Sequence, residues 1–109
     1  MPPGESMIYV KIHNSENGDI IAMCDSSLID KIISDGELEI NIRDYSDFYR
    51  GSLVDRKKAL GMINPKRMNS ANIIGKESVE VAVEGNIILE ESIRLSGKIP
   101  YAHAFRIKY

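Results

Sequence analysis

Asn69–Asn86, NSANIIGKESVEVAVEGN, is the stretch from which the fold is read. Val79, Ala82 and Val83 stand at i, i+3 and i+4, which places them on one face of a short helix. Glu77, Glu80 and Glu84 lie mostly off that face, and Val81 is the exception. Gly85 followed by Asn86 marks a left-handed stop at Gly85, where a Cβ would clash. At the other end Asn72 or Gly75 marks the helix start, with Ser78 in the first turn. Free backbone N–H groups at a helix start attract anions, and Lys76 adds a charge. Asn72, Gly75, Lys76 and Ser78 therefore form a candidate anion site. The Gly-Lys pair suggests a phosphate loop, but the pattern fails twice: Ser70 stands where the first glycine belongs, and Glu77 where the magnesium-binding hydroxyl belongs. A carboxylate at that place argues against nucleotide hydrolysis.

On the N-terminal side, Met1–Ser6 has two prolines, a glycine and no core residue beyond Met1, and reads as a disordered lead to a single domain over residues 7–109. Met7–His13 alternates, with Ile8, Val10 and Ile12 on one side and Tyr9, Lys11 and His13 on the other. Asn14–Gly18 is a turn cluster, and Asp19–Cys24 makes the second arm of a hairpin. Asp25, Ser26 or Ser27 caps a helix whose apolar face is Leu28, Ile29, Ile32 and Ile33 and which ends at Gly36. Glu37–Arg43 alternates again and reads as a strand. Asp44–Gly51 gathers Tyr45, Phe48 and Tyr49 beside Arg50. A helix near Val54–Ile63 turns Ala59, Leu60 and Ile63 inward and stops before Pro65, and Lys66–Ala71 adds a turn.

On the C-terminal side, a short strand lies around Ile93–Leu95, SGKIP is a turn, and Tyr101–Tyr109 alternates as a terminal strand at a sheet edge. The whole reads as α+β: an N-terminal β-hairpin, then α-β, a helical middle segment and C-terminal strands, with helices packed on a mixed sheet.

At 109 residues the chain has length for one domain and one core. Its composition, 43% hydrophobic and 28% charged, is that of a soluble globular protein. No apolar run is long enough to span a membrane, and the start lacks the pattern of a secretory signal. A single cysteine, Cys24, cannot form an internal disulfide, which fits a reducing cytoplasm.

Charge is segregated along the chain. Residues 1–49 carry three basic against ten acidic groups, whereas residues 50–76 carry seven basic groups against Asp55 alone. Such segregation points to a one-sided field. Arg50, Arg56, Lys57, Lys58, Lys66, Arg67 and Lys76 are candidate phosphate contacts, with Tyr49 as a candidate for base stacking.

No catalytic residues are assigned. Placing the hairpin loop at Asn14–Gly18 pairs His13 with Asp19 and Ile8 with Cys24. His13 and Cys24 then lie on opposite faces and cannot ligate one ion. CxxC and HxxxH spacings are missing, so neither metal nor cofactor is expected. Cys24 and His103 are a weak nucleophile–base pair, because Asp25 beside the thiol raises its pKa.

The blocks YVKIH, IIAMCDSSLIDK, FYRG, ANIIGKESVEVAV and GKIPYAHA, in this order from about Met7 to Ala104, resemble an archaeal family of small uncharacterised proteins, domain of unknown function 424. The resemblance implies no activity and a loose link to translation or RNA. Two places depart from the family pattern: Ile29-Asp30-Lys31 stands for an expected Leu-Gly-Lys, and Pro100-Tyr101-Ala102-His103 for an expected Pro-His-Ala-Gln.

The sequence thus favours a cytoplasmic, non-catalytic domain that binds RNA or a ribonucleoprotein. One alternative is a small-ligand enzyme using an anion site over Asn72–Ser78. The other is a protein-interaction module with an acidic face. With no metal expected, prolonged chelation should leave the thermal unfolding midpoint unchanged; a midpoint that falls and is restored by zinc would overturn this.

Overall fold

The computed structural model describes residues 7–36 and 38–105. The expectations for Met1–Ser6 and for the strand beyond Phe105 lie outside the described residues. Strands β1 (Ile8–Ser15) and β2 (Gly18–Asp25) form the expected hairpin, but its turn is tighter than expected. Ser15 pairs with Gly18, so only Glu16 and Asn17 make the turn. The register therefore moves by one residue, and Tyr9 rather than Ile8 stands opposite Cys24. A slip of one reverses every facing relation. His13 and Cys24 share a face after all, and the argument that separated them by face is overturned. They are instead separated along the strand: Cys24 pairs with Tyr9, four residues from His13, which is about 13 Å at 3.3 Å per residue.

The segment after β2 does not form the expected α-helix. Ser26–Leu28 makes one 3-10 turn, Asp30 takes a left-handed φ of 65°, and Ile32–Asp35 is strand β3, paired with β4 (Leu38–Asn41). Ile29, Ile32 and Ile33 are β-branched, which favours the extended chain once the helical run is broken at Asp30. Gly36 ends the segment as expected, but as the turn of a hairpin, with φ 62°.

A short helix α1 (Ser46–Tyr49), strand β5 (Ser52–Val54) and helix α2 (Arg56–Met62) follow. The Asp55 carboxylate caps α2, accepting the Lys58 N–H at 2.8 Å. Ala59 and Ile63 are buried and Leu60 is half-buried, as the spacing predicts. Met68–Ile74, read from the sequence as a turn and a helix start, is strand β6. Helix α3 (Lys76–Glu84), strand β7 (Arg94–Ser96) and strand β8 (Ile99–Phe105) complete the described chain.

Among the described residues six strands make one mixed sheet in the order β5-β1-β2-β6-β8-β7, in which only β2 and β6 run parallel; β3 and β4 form a separate pair. This is a small α+β domain with helices on the sheet. One sheet face supplies Ile8, Val10, Ile21, Met23, Ala71, Ile73 and Ala102 to the main core beneath α2 and α3. The opposite face supplies Ala22, Cys24 and Ile74 to a second cluster, closed by Ile42, Tyr49 and the β3–β4 hairpin. β8 is an edge over only part of its length: β7 pairs with Ile99–Tyr101, and no described strand flanks the outer side of Ala102–Phe105.

The stop of α3 is displaced by one residue from the expected place. Gly85 has φ −84°, open to any residue, and Asn86 takes the left-handed φ of 61°. Gly85 is small for another reason, since a Cβ there would sit 2.6 Å from Ile63 Cδ1. Gly85→Ala should cost about 1 kcal/mol in urea denaturation through this overlap. The cost should largely vanish in an Ile63→Val background, which removes Cδ1. Asn86→Gly should be neutral or stabilising, because only there does glycine relieve a left-handed backbone.

Candidate nucleic-acid interface

The start of α3 is occupied by the protein itself. Asp25, at the end of β2, accepts the Glu77 N–H at 3.1 Å through Oδ2, and the Ser78 N–H and Ser78 Oγ–H, each at 2.8 Å, through Oδ1. Gly75 permits this approach with φ 107°; a Cβ there would lie 2.3 Å from Asp25 Cγ. Asp25 and Ser78 are both buried. The candidate anion site of Asn72, Gly75, Lys76 and Ser78 is therefore corrected: its N–H groups already hold a carboxylate, Asn72 lies mid-strand in β6, and Lys76 points to water. Burial pushes the Asp25 carboxyl above its usual 3.8, and the hydrogen bonds from Ser78 and Glu77 pull it back only in part.

The basic segment does not form one continuous free surface. Arg50 is ion-paired with Asp30, whose hydrogen bond holds the guanidinium above its ordinary pKa, and it lies 5.5 Å from the Tyr9 ring centroid. Arg56 spans from α2 to α3, 3.0 Å from Glu77 and 3.1 Å from Glu80. Arg67 lies 3.4 Å from Asp19. Lys57, Lys58 and Lys76 are exposed, with no ion-pair partner among the described residues, and Lys66 is exposed near Arg67 in sequence. Asp55, Lys57, Lys58, Gly61 and Met62 border a depression of about 620 Å³. All five belong to one helix and its cap, so the depression has no facing wall among the described residues.

Tyr49 is corrected as well. It is 7% exposed, sits in the second core cluster, and burial pushes its hydroxyl up to about 12, so it cannot stack on a base. Its neighbour Tyr45 is 63% exposed.

Register brings together a set of residues that no sequence spacing linked. Three rows cross the sheet on the face opposite α2 and α3. Tyr9, Cys24, Ile74 and Tyr101 make the first row, Lys11, Ala22, Asn72 and His103 the second, and His13, Ile20, Ser70 and Phe105 the third. The second core cluster packs on the first row through Cys24, Ile74 and Tyr101. The third row is open at its β8 end, where Phe105 is 74% exposed. Between them lies a cleft of about 420 Å³ lined by Tyr45, Phe48, Tyr49, Asn72 and His103. His13 stacks on Phe48 at 4.7 Å, and its Nε2–H donates to the Phe48 carbonyl at 3.0 Å, which fixes α1 against the sheet. His103 donates from Nδ1 to Asn72 Oδ1 at 2.5 Å, leaving Nε2 free to accept.

This arrangement lacks an activated nucleophile. Burial, with Asp25 and Asp30 nearby, pushes the Cys24 thiol up to about 12, so it is un-ionised at neutral pH. Among the described residues no group of three or more His, Cys, Asp or Glu is placed to hold a metal ion, and no helix is long and apolar enough to cross a membrane.

The model of the family described as "Protein of unknown function (DUF424)" matches residues 12–107. The chain belongs to this family. No curated protein matches the sequence. The fold of this DUF424 chain is similar to that of a solved structure, an uncharacterized conserved protein from Methanopyrus kandleri, with a TM-score of 0.76 at 18% identity. The likeness covers 94% of this DUF424 chain and 96% of that one, so it extends over nearly all of both. In this DUF424 protein the sequence pattern reads the cleft residue Asn72 as a helix start and anion-site residue, and His103 as a terminal-strand histidine. Their pairing depends on the β6–β8 register.

The Asp25 contact predicts a large effect. Asp25→Ala should destabilise by about 2–3 kcal/mol, since it removes a cap and leaves the buried Ser78 hydroxyl unpaired. The pH dependence has a definite sign. A folded pKa above the unfolded value means that the folded state holds its proton more tightly. The proton-linked part of Asp25's contribution to stability is then fully present below about pH 3.8 and lost as pH rises through the folded pKa, while its hydrogen bonds to Glu77 and Ser78 persist. The stability of the native chain relative to Asp25→Asn should fall over that window; a difference that rises instead would reverse the assignment.

Proposed function

We propose that this domain binds unpaired RNA, free or within a ribonucleoprotein, on the uncovered part of its sheet and without catalysis. The observation that carries the reading is the cleft between α1 and β8. A solvent-facing tyrosine, a half-buried phenylalanine and an exposed histidine enclose a space of base size, with an exposed phenylalanine one row away. Unpaired bases stack on such rings, whereas a duplex keeps its base faces covered. Asn72 Nδ2 and His103 Nε2 add a donor and an acceptor at the polar end of the cleft.

Stacking contributes more here than phosphate neutralisation. Arg50, Arg56 and Arg67 are engaged by carboxylates, and Lys57, Lys58 and Lys76 belong to the helices on the other side of the sheet. A short strand seated in the cleft does not reach α2; Lys11, in the same row, is held by the Asp47 carbonyl at 2.6 Å, and only a longer RNA that wraps the domain engages Lys57 and Lys58. A buried, unpaired Cys24 is compatible with the reducing cytoplasm in which translation-associated RNA is found.

Fluorescence anisotropy with a single-stranded RNA of about six nucleotides tests the reading. If one or two phosphates are neutralised, log affinity should fall with log salt at a slope between about −0.7 and −1.4. Tyr45→Ala and Phe105→Ala should each weaken binding roughly tenfold with little change in slope, as the loss of one base stack does. Lys57→Ala with Lys58→Ala should leave this short RNA unaffected, yet weaken and flatten the salt dependence of one of about thirty nucleotides. A folded sample that binds neither RNA at low salt overturns the proposal.

A further inference from the structure

Beyond the cleft, and independent of it, a second surface lies on the helix side of the sheet, where α3 approaches the segment that leads into the edge strand β7. Val79, Glu80, Val83, Glu90 and Ile93 line a groove of about 310 Å³. Val79 is buried at its floor, and Val83 and Ile93 are half-buried. Two leucines flank it in sequence and stand in water: Leu89, next to Glu90, and Leu95, two residues past Ile93, each 64% exposed. Leu95 pairs with Pro100, which shares a sheet face with the core residue Ala102. Leu95 therefore points to the α3 side of the sheet and not to the cleft side. Large apolar side chains this exposed beside an apolar groove mark an interaction surface.

The charge around the groove is negative. Glu80 is tied to Arg56, but among the described residues no ion pair engages Glu84, Glu90 or Glu91. Of the cations on neighbouring elements, Arg94 shares the opposite sheet face with Tyr101, and Lys98 sits in the β7–β8 turn. An acidic rim repels RNA phosphates and anionic lipid alike.

We propose that this groove docks a basic amphipathic segment of another protein, whose apolar side chains cover Val83, Ile93, Leu89 and Leu95 while its lysines or arginines meet Glu84, Glu90 and Glu91. The segment lies across the groove as an amphipathic helix does, with its apolar stripe inward.

The probes are two synthetic peptides of about 18 residues, about five helical turns, with the same leucine stripe. One carries lysine and the other glutamate at all remaining positions. A lysine peptide without leucines is the control. Amide shifts of the intact chain should move saturably at Val79, Val83, Ile93 and Leu95 with the leucine–lysine peptide alone. Leu89→Ser with Leu95→Ser changes only exposed side chains, so it leaves the fold intact, and it should weaken binding about tenfold. Glu90→Lys with Glu91→Lys should weaken it comparably at low salt and less at high salt. Equal binding of the glutamate peptide or of the leucine-free peptide, shifts spread over the whole surface, or a groove covered by a second copy in sedimentation would each overturn the proposal.

Discussion

The carboxylate of Asp25 is the contact on which the rest of the architecture depends. It joins the end of β2 to the start of α3 across a sequence separation of 52 residues to Glu77 and 53 to Ser78. Three orphan donors are satisfied at once: two backbone N–H groups of a helix start and a buried hydroxyl. The parallel pairing of β2 with β6, the turn at Gly75 and the seating of α3 all converge there. Burial resists the ionised carboxylate, and the three donors offset part of that cost. Gly75 is needed because any side chain would occupy the space of the Asp25 carboxyl group.

From this junction the two faces of the sheet diverge. The face under α2 and α3 is closed by aliphatic packing. The other is closed only near the junction, by the β3–β4 hairpin and Tyr49. Farther along, β6 carries Ser70 and Asn72 where a fully covered strand would carry aliphatic residues. Those polar positions and the exposed Phe105 of β8 are what leave a cleft beside Tyr45 and Phe48.

The charge segregation along the chain also finds a physical role in the fold. Asp19 and Asp30, from the acidic first half, meet Arg67 and Arg50 from the basic segment, and Arg56 meets Glu77 and Glu80. Each exposed pair contributes little to stability, of order 0–1 kcal/mol. Together they engage the three arginines of the basic segment with carboxylates, while Lys57, Lys58 and Lys76 stay exposed without an ion-pair partner among the described residues.

Local pattern was enough wherever an element's neighbours in sequence are also its neighbours in space. The β1–β2 hairpin, the inward residues of α2 and the α+β class were readable from the spacing of aliphatic residues; on α3 the spacing gave Val79 and Ala82 but missed Val81, which is buried while Val83 is half-buried, and the turn expected over Ser96–Pro100 is confined to Gly97 and Lys98. The sequence alone also excluded a phosphate loop, through Ser70 and Glu77. Only the tertiary structure decided the others. A one-residue difference in a turn set which face His13 takes, because strand faces alternate with period two. Leu28, Ile29, Ile32 and Ile33 satisfy a helical spacing, yet Leu28 lies in a 3-10 turn, the left-handed Asp30 breaks the run, and the β-branched Ile32 and Ile33 enter the β3–β4 hairpin. β6 looked like a turn because three of its seven residues, Asn69, Ser70 and Asn72, are polar and only half-buried although the strand is central in the sheet. Asp25 was legible as a helix cap, but the helix it caps lies far along the chain, and no local pattern carries that distance. The cleft was hidden for the same reason: Tyr45, Asn72 and His103 come from three distant segments, β6–β8 pairing joins Asn72 to His103, and the His13–Phe48 contact seats α1 with Tyr45 beside them.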